Sequence, residues 1–493
     1  MLYKSTRSEK NAKFSAAYVI KNGLAADGGL YVPETIPTIS SNDIEKLCGM
    51  DYPHRAASIL SRFLTDYTYE ELLEDSIAAY SEAGFPGGAA PLNYPTKDQV
   101  LLELWHGPTA AFKDMALQIM PRLLSRALTK TGETGTAYIL VATSGDTGKA
   151  ALEGYRDVPH TKITVFYPVD GVSKVQKLQM ATQLGENVSV CAIRGNFDDA
   201  QNGVKKIFGD SNIANRINDN GYFFSSANSI NWGRLAPQIV YFVSAYCDLI
   251  NQNKIKNGDI VNVCVPTGNF GNILAAYIAK CAGVPLGKLI CASNSNNVLT
   301  DFLTTGTYDR NRKFHLTMSP SMDILISSNL ERLLYFVAGP EQTSKYMAQL
   351  RDEGKYTVSE DILKKINEDF VGYCANEEET AATIKSMFTS NNYLCDTHTA
   401  VAVCCAKKYI DDTKDNTLII TASTASPYKF AKDVYKSLTG TDPADDLEAL
   451  NQLNQLTNVA IPYPLADIDK RIVRFTDVVN VDDMTKVVLD SAK

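Results

Sequence analysis

From about residue 94 onward, short continuously apolar runs alternate with stretches whose apolar residues recur every three or four positions. Runs of the first kind read as buried strands and stretches of the second as helices. Residues 137–142 (AYILVA) read as a strand, followed by a Gly/Thr turn and a helix over 149–155. Residues 163–167 predict the next strand and 174–184 a helix, with Gly185 placed to cap it. Strand-like runs follow at 188–192, 260–265 and 289–292, the last two bracketing a helix over 272–282. This strand–helix–strand spacing predicts an α/β fold with mostly parallel sheets flanked by helices. Ligands are then expected at the turns beyond the carboxyl ends of the strands.

Residues 1–93 differ. They hold few strong strand signals, one helical stretch at 69–82, and a Gly/Pro-rich break at 84–95. The break predicts an N-terminal extension domain over 1–93, followed by a larger region over 94–493 built of two α/β subdomains.

Composition narrows the function. With 493 residues, 45% apolar and 21% charged, the chain can bury a sizeable core and is neither disordered nor fibrous in type. A net charge of −8 without a dense Lys/Arg block argues against a nucleic-acid partner. The ten cysteines form no CxxC pair and the five histidines no HExxH, so no metal site is expected. The N-terminal MLYKSTRSEK lacks a signal-like apolar core, and the apolar stretch 239–250 contains Asp248 and is too short for a bilayer. A reduced, cytoplasmic protein without a membrane partner is expected.

Three turn segments fall where an α/β enzyme places its chemistry. In LWHGPTAAFKD (104–114), Lys113 opens a helical pattern over 115–128 directly after a Gly/Pro turn. A partly desolvated lysine there has a lowered pKa and an amine free to form an imine. A solvated surface lysine is the commoner state of any lone lysine. VPTGNFGN (265–272) runs from a strand through two glycines into a helix, so its amides can point at a phosphate, or it is simply a tight connection. TSGDTGKA (143–150) looks at first like a nucleotide-binding loop. However, Thr143 stands where the first glycine is required and Ala150 replaces the magnesium-binding hydroxyl. A cradle for a small anion, built from Ser144, Thr147 and turn amides, remains. In TASTASPYKF (421–430) the hydroxyls could bond a heterocyclic nitrogen or cap a helix. There is no GxSxG elbow.

Together these segments resemble the threonine synthase family, a group of fold-type II pyridoxal-phosphate enzymes. GLAADGGLYVPE (23–34) is similar to that family's N-terminal signature, LWHGPTAAFKD to its cofactor-lysine motif and TSGDTG to its substrate turn. NFDDAQ (196–201), NSINWGRLAPQ (228–238), PTGNFGN, SPSMDILISSNLE (319–331) and DTHTAVA (396–402) follow in the family's order. The resemblance implies that Lys113 would hold pyridoxal 5'-phosphate and shuttle protons. Gly268, Asn269, Phe270, Gly271 and Asn272 would cup the cofactor's phosphate, and Thr424 would face its pyridine nitrogen. Ser144, Asp146 and Thr147 would hold the substrate carboxylate and the ring edge. Asn228, Ser229 and Arg234 would bind the substrate phosphate, which suits a guanidinium fork; a structural ion pair is the alternative for Arg234. Asp146 stands where many relatives in the wider fold carry Asn, and Ser426 where this family often has His.

The implied activity is that of a carbon–oxygen lyase acting on a phosphate ester, converting O-phospho-L-homoserine and water to L-threonine and phosphate. A phospho-lyase that releases a keto acid is the rival within the enzyme class. A non-catalytic phospho-ligand-binding protein on the same fold is the rival outside it, and an intact Lys113 speaks against that.

Overall fold

Two sheets carry the fold of this computed structural model, which describes residues 1–8, 12–143, 145–170 and 172–493. The first runs in the order Phe370–Cys374, Leu286–Ser293, Val261–Pro266, Ile419–Ser423, Gln99–Glu103 and Leu92–Asn93. It is parallel except for the last strand, which pairs antiparallel with Gln99–Glu103. The second sheet runs Val478–Asn480, Val188–Arg194, Thr161–Pro168, Thr136–Ala142 and Tyr222–Ser225, all parallel. Every residue of Val261–Pro266 is buried, as expected of a strand covered on both faces by helices. The short C-terminal strand Val478–Asn480 covers one edge of the second sheet, shielding backbone groups that would otherwise offer a template for aggregation.

The helix Trp232–Asn251 is buried on nearly all sides, which explains why its sequence is apolar without a polar stripe. Residues 1–80 pack against it. They hold the antiparallel strands Tyr3–Ser5 and Tyr31–Pro33 and the helices Ala16–Asn22, Ser41–Cys48, Tyr52–Phe63 and Tyr69–Ala79. Ser15, Ser40, Asp51 and Thr68 cap these helices through their side-chain oxygens, with full capping boxes at Ser40/Asp43 and Thr68/Glu71. Polar ties complete the docking. Arg55 Nη1 lies 2.6 Å from Asp248 Oδ1, and Asn231 Nδ2 donates to the Ile20 carbonyl at 2.9 Å. Among the described residues no helix is long and apolar enough to cross a membrane.

Several elements differ from the sequence expectation. The helix expected over 115–128 is two helices, Asp114–Leu117 and Met120–Lys130. Pro121 has no N–H to bond the Leu117 carbonyl, so the first helix cannot continue through it. The helix expected from 149 begins at Asp146, and the one expected at 69–82 ends at Ala79. The helix expected over 174–184 stops at Ala181 with Thr182, not Gly185, at its cap. There the Ala181 carbonyl accepts instead from the amides of Arg474 and Phe475, which draws the C-terminal segment across the helix end.

The freed Leu117 carbonyl lies against Gly154, where a β-carbon would collide with it. On an exposed helix Gly→Ala gains about 1 kcal/mol. Here Gly154→Ala is expected to reverse that sign and destabilise the protein by about 1–3 kcal/mol through overpacking. Thermal or denaturant unfolding checks this, and an equal or higher midpoint in the variant would contradict the close contact.

Candidate active site

The loop from the strand Gln99–Glu103 to Lys113 is pinned to the loop after Ile419–Ser423. The amide of Leu104 donates to the Ser423 carbonyl at 2.9 Å, Phe112 to Thr424 at 2.8 Å, and Ser426 to Ala110 at 3.1 Å. This brings Thr424 alongside Lys113; the Thr424 side chain makes no hydrogen bond within the described residues. The Lys113 side chain is only 11% exposed, and its Nζ lies 3.7 Å from Asp146 Oδ2 and 3.5 Å from Ser321 Oγ. Burial pushes this amine below its ordinary pKa. Asp146 opposes the shift, Lys429 and Arg234 add to it, and Asp114 opposes it in turn. A solvated surface lysine is therefore not what the fold builds.

The turn 267–270 leads into the helix Gly271–Cys281. The Gly268 carbonyl accepts from Ser327 Oγ at 2.7 Å, and the Asn269 carbonyl from Asn329 N and Nδ2, both at 3.0 Å. With the carbonyls held on that side and Phe270 in the left-handed region (φ 63°), the first amides of the helix have no intrahelical acceptor and stay open to an anion. A β-carbon on Gly268 would sit 2.8 Å from the Ser321 carbonyl oxygen, so only glycine fits this wall. Asn272 Oδ1 lies 2.9 Å from the Tyr241 hydroxyl, while its Nδ2 is buried without a partner.

From the second sheet comes the turn after Thr136–Ala142. Thr143 Oγ1 accepts from the amides of Gly145 and Gly148, each at 3.0 Å, and Asp146 opens the following helix. Ser144 lies outside the described residues; the Thr147 side chain makes no hydrogen bond within them. Asp146 Oδ1 accepts from Lys429 Nζ and Gln176 Nε2, both at 2.9 Å. Burial alone would raise its pKa, but the Lys429 and Lys113 cations outweigh that and hold the carboxyl well below the usual range. Lys149 pairs instead with Glu153 at 2.9 Å and with Gln183, so it is not available to a phosphate.

Arg234, in the first turn of Trp232–Asn251, is 6% exposed. Among the described residues no carboxylate pairs with it. Its hydrogen bond runs from Nη1 to the Ala227 carbonyl at 2.8 Å, and its Nε is buried without a partner. Burial pushes the guanidinium down to about 10. The nearby Tyr155 hydroxyl is likewise buried and unpartnered. Two orphaned polar atoms beside a cation with no carboxylate partner among the described residues are a donor set that would suit an anion. Asn228 is exposed and Ser229 half-buried; both lie on the loop leading to Arg234, where Asn228 Oδ1 accepts from Ser229 Oγ at 3.3 Å and Ile230 N at 3.2 Å.

The fold adds residues that sequence reasoning passed over. Lys429, Gln176 and Ser321 lie within hydrogen-bonding or ion-pair reach of Asp146 or Lys113. His398 Nε2 accepts from the Ser321 amide at 3.1 Å, while its Nδ1 lies 2.8 Å from the buried Asp396. Each belongs to another segment of the chain; Lys429, Ser321 and His398 lie within the motifs at 421–430, 319–331 and 396–402, but nothing local points from them to Lys113 or Asp146. Ser426, by contrast, caps the turn Pro427–Phe430.

Three family models match the chain: Threonine synthase N terminus over residues 2–80, Pyridoxal-phosphate dependent enzyme over 97–423, and Threonine synthase, C-terminal over 399–488. Threonine synthase-like 1 of Homo sapiens is 42% identical across 87% of this chain and 58% of its own length, so the chain spans under two thirds of that relative. Threonine synthase of Pseudomonas aeruginosa is 37% identical across 97% of this chain and 95% of its own. The solved PLP-bound threonine synthase from Brucella melitensis superposes with a TM-score of 0.89 at 35% identity, covering 100% of both chains.

The unpaired Arg234 gives a measurable consequence. In phosphate-free buffer Arg234→Met is expected to unfold at the same temperature as wild type or above it, since a buried uncompensated charge is removed. In the cofactor-loaded proteins, where the 268–272 turn is already occupied, inorganic phosphate at tenfold its dissociation constant should stabilise wild type by about 1.4 kcal/mol and the variant far less. Equal stabilisation of both proteins would place anion binding elsewhere.

Proposed function

Because the chain belongs to the threonine synthase family of pyridoxal-phosphate dependent enzymes, we propose that it converts O-phospho-L-homoserine and water to L-threonine and phosphate. The observation that carries this reading is the juxtaposition of a desolvated Lys113 amine with two separate anion sites, the amide cradle at 268–272 and the unpaired Arg234. The reaction needs both, because cofactor and substrate each bring a phosphate.

The residues present fit pyridoxal 5'-phosphate. Gly268, Asn269, Phe270, Gly271 and Asn272 would hold its phosphate, supported by the open amides and the unpartnered Asn272 Nδ2. Thr424 would offer a neutral hydroxyl to the ring nitrogen. The bound cofactor supplies an electron sink that eases removal of protons from the substrate carbons. Lys113 would hold the cofactor and move protons at its Nζ, which its lowered basicity favours. Asp146, Thr147 and Ser144 would orient the substrate carboxylate and the ring edge. Arg234, with Asn228 and Ser229, would grip the substrate phosphate and hold it through its departure as a leaving group. We take the enzyme to be cytoplasmic, and take residues 1–93 and 94–493 as its two domains.

Lys113→Ala is expected to fold, to lose the visible band of bound cofactor and to lose at least about 10³-fold in turnover. The deciding assay incubates wild type with O-phospho-L-homoserine and measures phosphate and threonine together. Equal amounts support the synthase, whereas phosphate with a keto acid would replace it with the phospho-lyase reading.

A further inference from the structure

The Lys429 side chain is wholly buried, 0% exposed, and sits in the turn Pro427–Phe430. Its Nζ donates to Asp146 Oδ1 at 2.9 Å and to the Thr109 carbonyl at 2.9 Å, with Gln179 Oε1 at 3.5 Å. Gln176 Nε2 donates to the same Asp146 oxygen. Oδ1 is therefore filled by two donors from two segments, and Oδ2 is left 3.7 Å from Lys113 Nζ.

We infer that Lys429 is a positioning residue for Lys113: it holds Asp146 as a carboxylate by one oxygen, so that the other faces the Lys113 nitrogen as a fixed counter-charge and does not take its proton. This rests on the reading of Lys113 as the cofactor lysine. A buried carboxyl without a cation beside it favours the protonated form, and a protonated Asp146 would compete for the same proton transfers. Lys429 removes that competitor. The charged groups facing Asp146 are Lys429 and Lys113, and those facing Lys113 are Asp146, Lys429, Arg234 and Asp114. The same ammonium also ties the 104–113 loop, through Thr109, to the turn that carries Asp146. Charge and placement are thus set by one side chain.

The test is a pH titration of the visible cofactor band in the holoenzyme, for wild type, Lys429→Gln and Lys429→Arg. Gln keeps a donor near Asp146 and removes the charge; Arg keeps the charge. Lys429→Gln is expected to gain a spectral transition at higher pH than any acid transition of wild type, because burial without the Lys429 cation raises the Asp146 carboxyl. Lys429→Arg should titrate like wild type. A wild-type titration in the Gln variant, or the same added transition in the Arg variant, overturns the inference, because the side chain would then act by packing alone. If Lys429→Gln does not fold, the Arg variant decides on the same criterion. A wild-type protein without any visible band would overturn the cofactor reading itself, and this inference with it.

Discussion

Lys113, Lys429 and Arg234 are three cations taken largely out of water with one firmly ionised carboxylate, Asp146, among them. Asp114, buried against the Thr109 amide and hydroxyl, is pushed up to about 6 by desolvation; even with it ionised at neutral pH, three cations face two carboxylates. Burying each such charge costs several kcal/mol even after relaxation. The positive surplus is tolerable if anions complete the site. A phosphate at the 268–272 amides, another at Arg234 and a substrate carboxylate would supply that missing charge.

Holding this surplus in place falls to the backbone. The carboxyl ends of the two parallel sheets deliver Lys113, Thr424 and the 268–272 turn from one side and Asp146 from the other, and nearly every turn is locked by hydrogen bonds away from the cleft. The Gly268 and Asn269 carbonyls are held by Ser327 and Asn329, and the Thr143 hydroxyl binds the turn before Asp146. Donors and charges are oriented by hydrogen bonds within the chain itself. That is the condition for strong electrostatic stabilisation, since little reorganisation remains for the reaction itself.

What the sequence made legible follows from what is local. The strands at 137–142, 163–167 and 188–192 lie within observed strands because continuous apolar runs report burial directly. The glycine turn 268–271 and Lys113 were visible because their chemistry is packed into a few adjacent residues. The break after 117 has a local cause in Pro121 that the apolar period alone does not register, whereas the helix end at 181 is fixed by a distant segment, the amides of Arg474 and Phe475 on the Ala181 carbonyl. Lys429 stood inside the 421–430 motif, but its partner was not legible. Nothing beside it in sequence says that its ammonium meets a carboxylate contributed by the other sheet. For Arg234 the sequence left an ion pair open; among the described residues no carboxylate pairs with it.

The N-terminal region is coupled to the site through Arg332, which is wholly buried and has burial pushing its guanidinium down to about 9. Its Nε donates to the Tyr31 carbonyl at 2.9 Å, its Nη2 to the Ile230 carbonyl at 2.5 Å and its Nη1 to Asn329 Oδ1. Tyr31 belongs to the N-terminal strand pair, Ile230 to the loop leading to Arg234, and Asn329 holds the Asn269 carbonyl of the glycine turn. One planar fork therefore fixes three segments against each other, a task that a lysine's point charge could not perform with the same geometry. The Tyr31 strand is in this sense part of the scaffold of the 228–231 loop and the 268–272 turn. A shift of the Tyr31 strand would reach the 228–231 loop and the 268–272 turn through a single guanidinium, whose lost bonds would leave a buried charge unsatisfied.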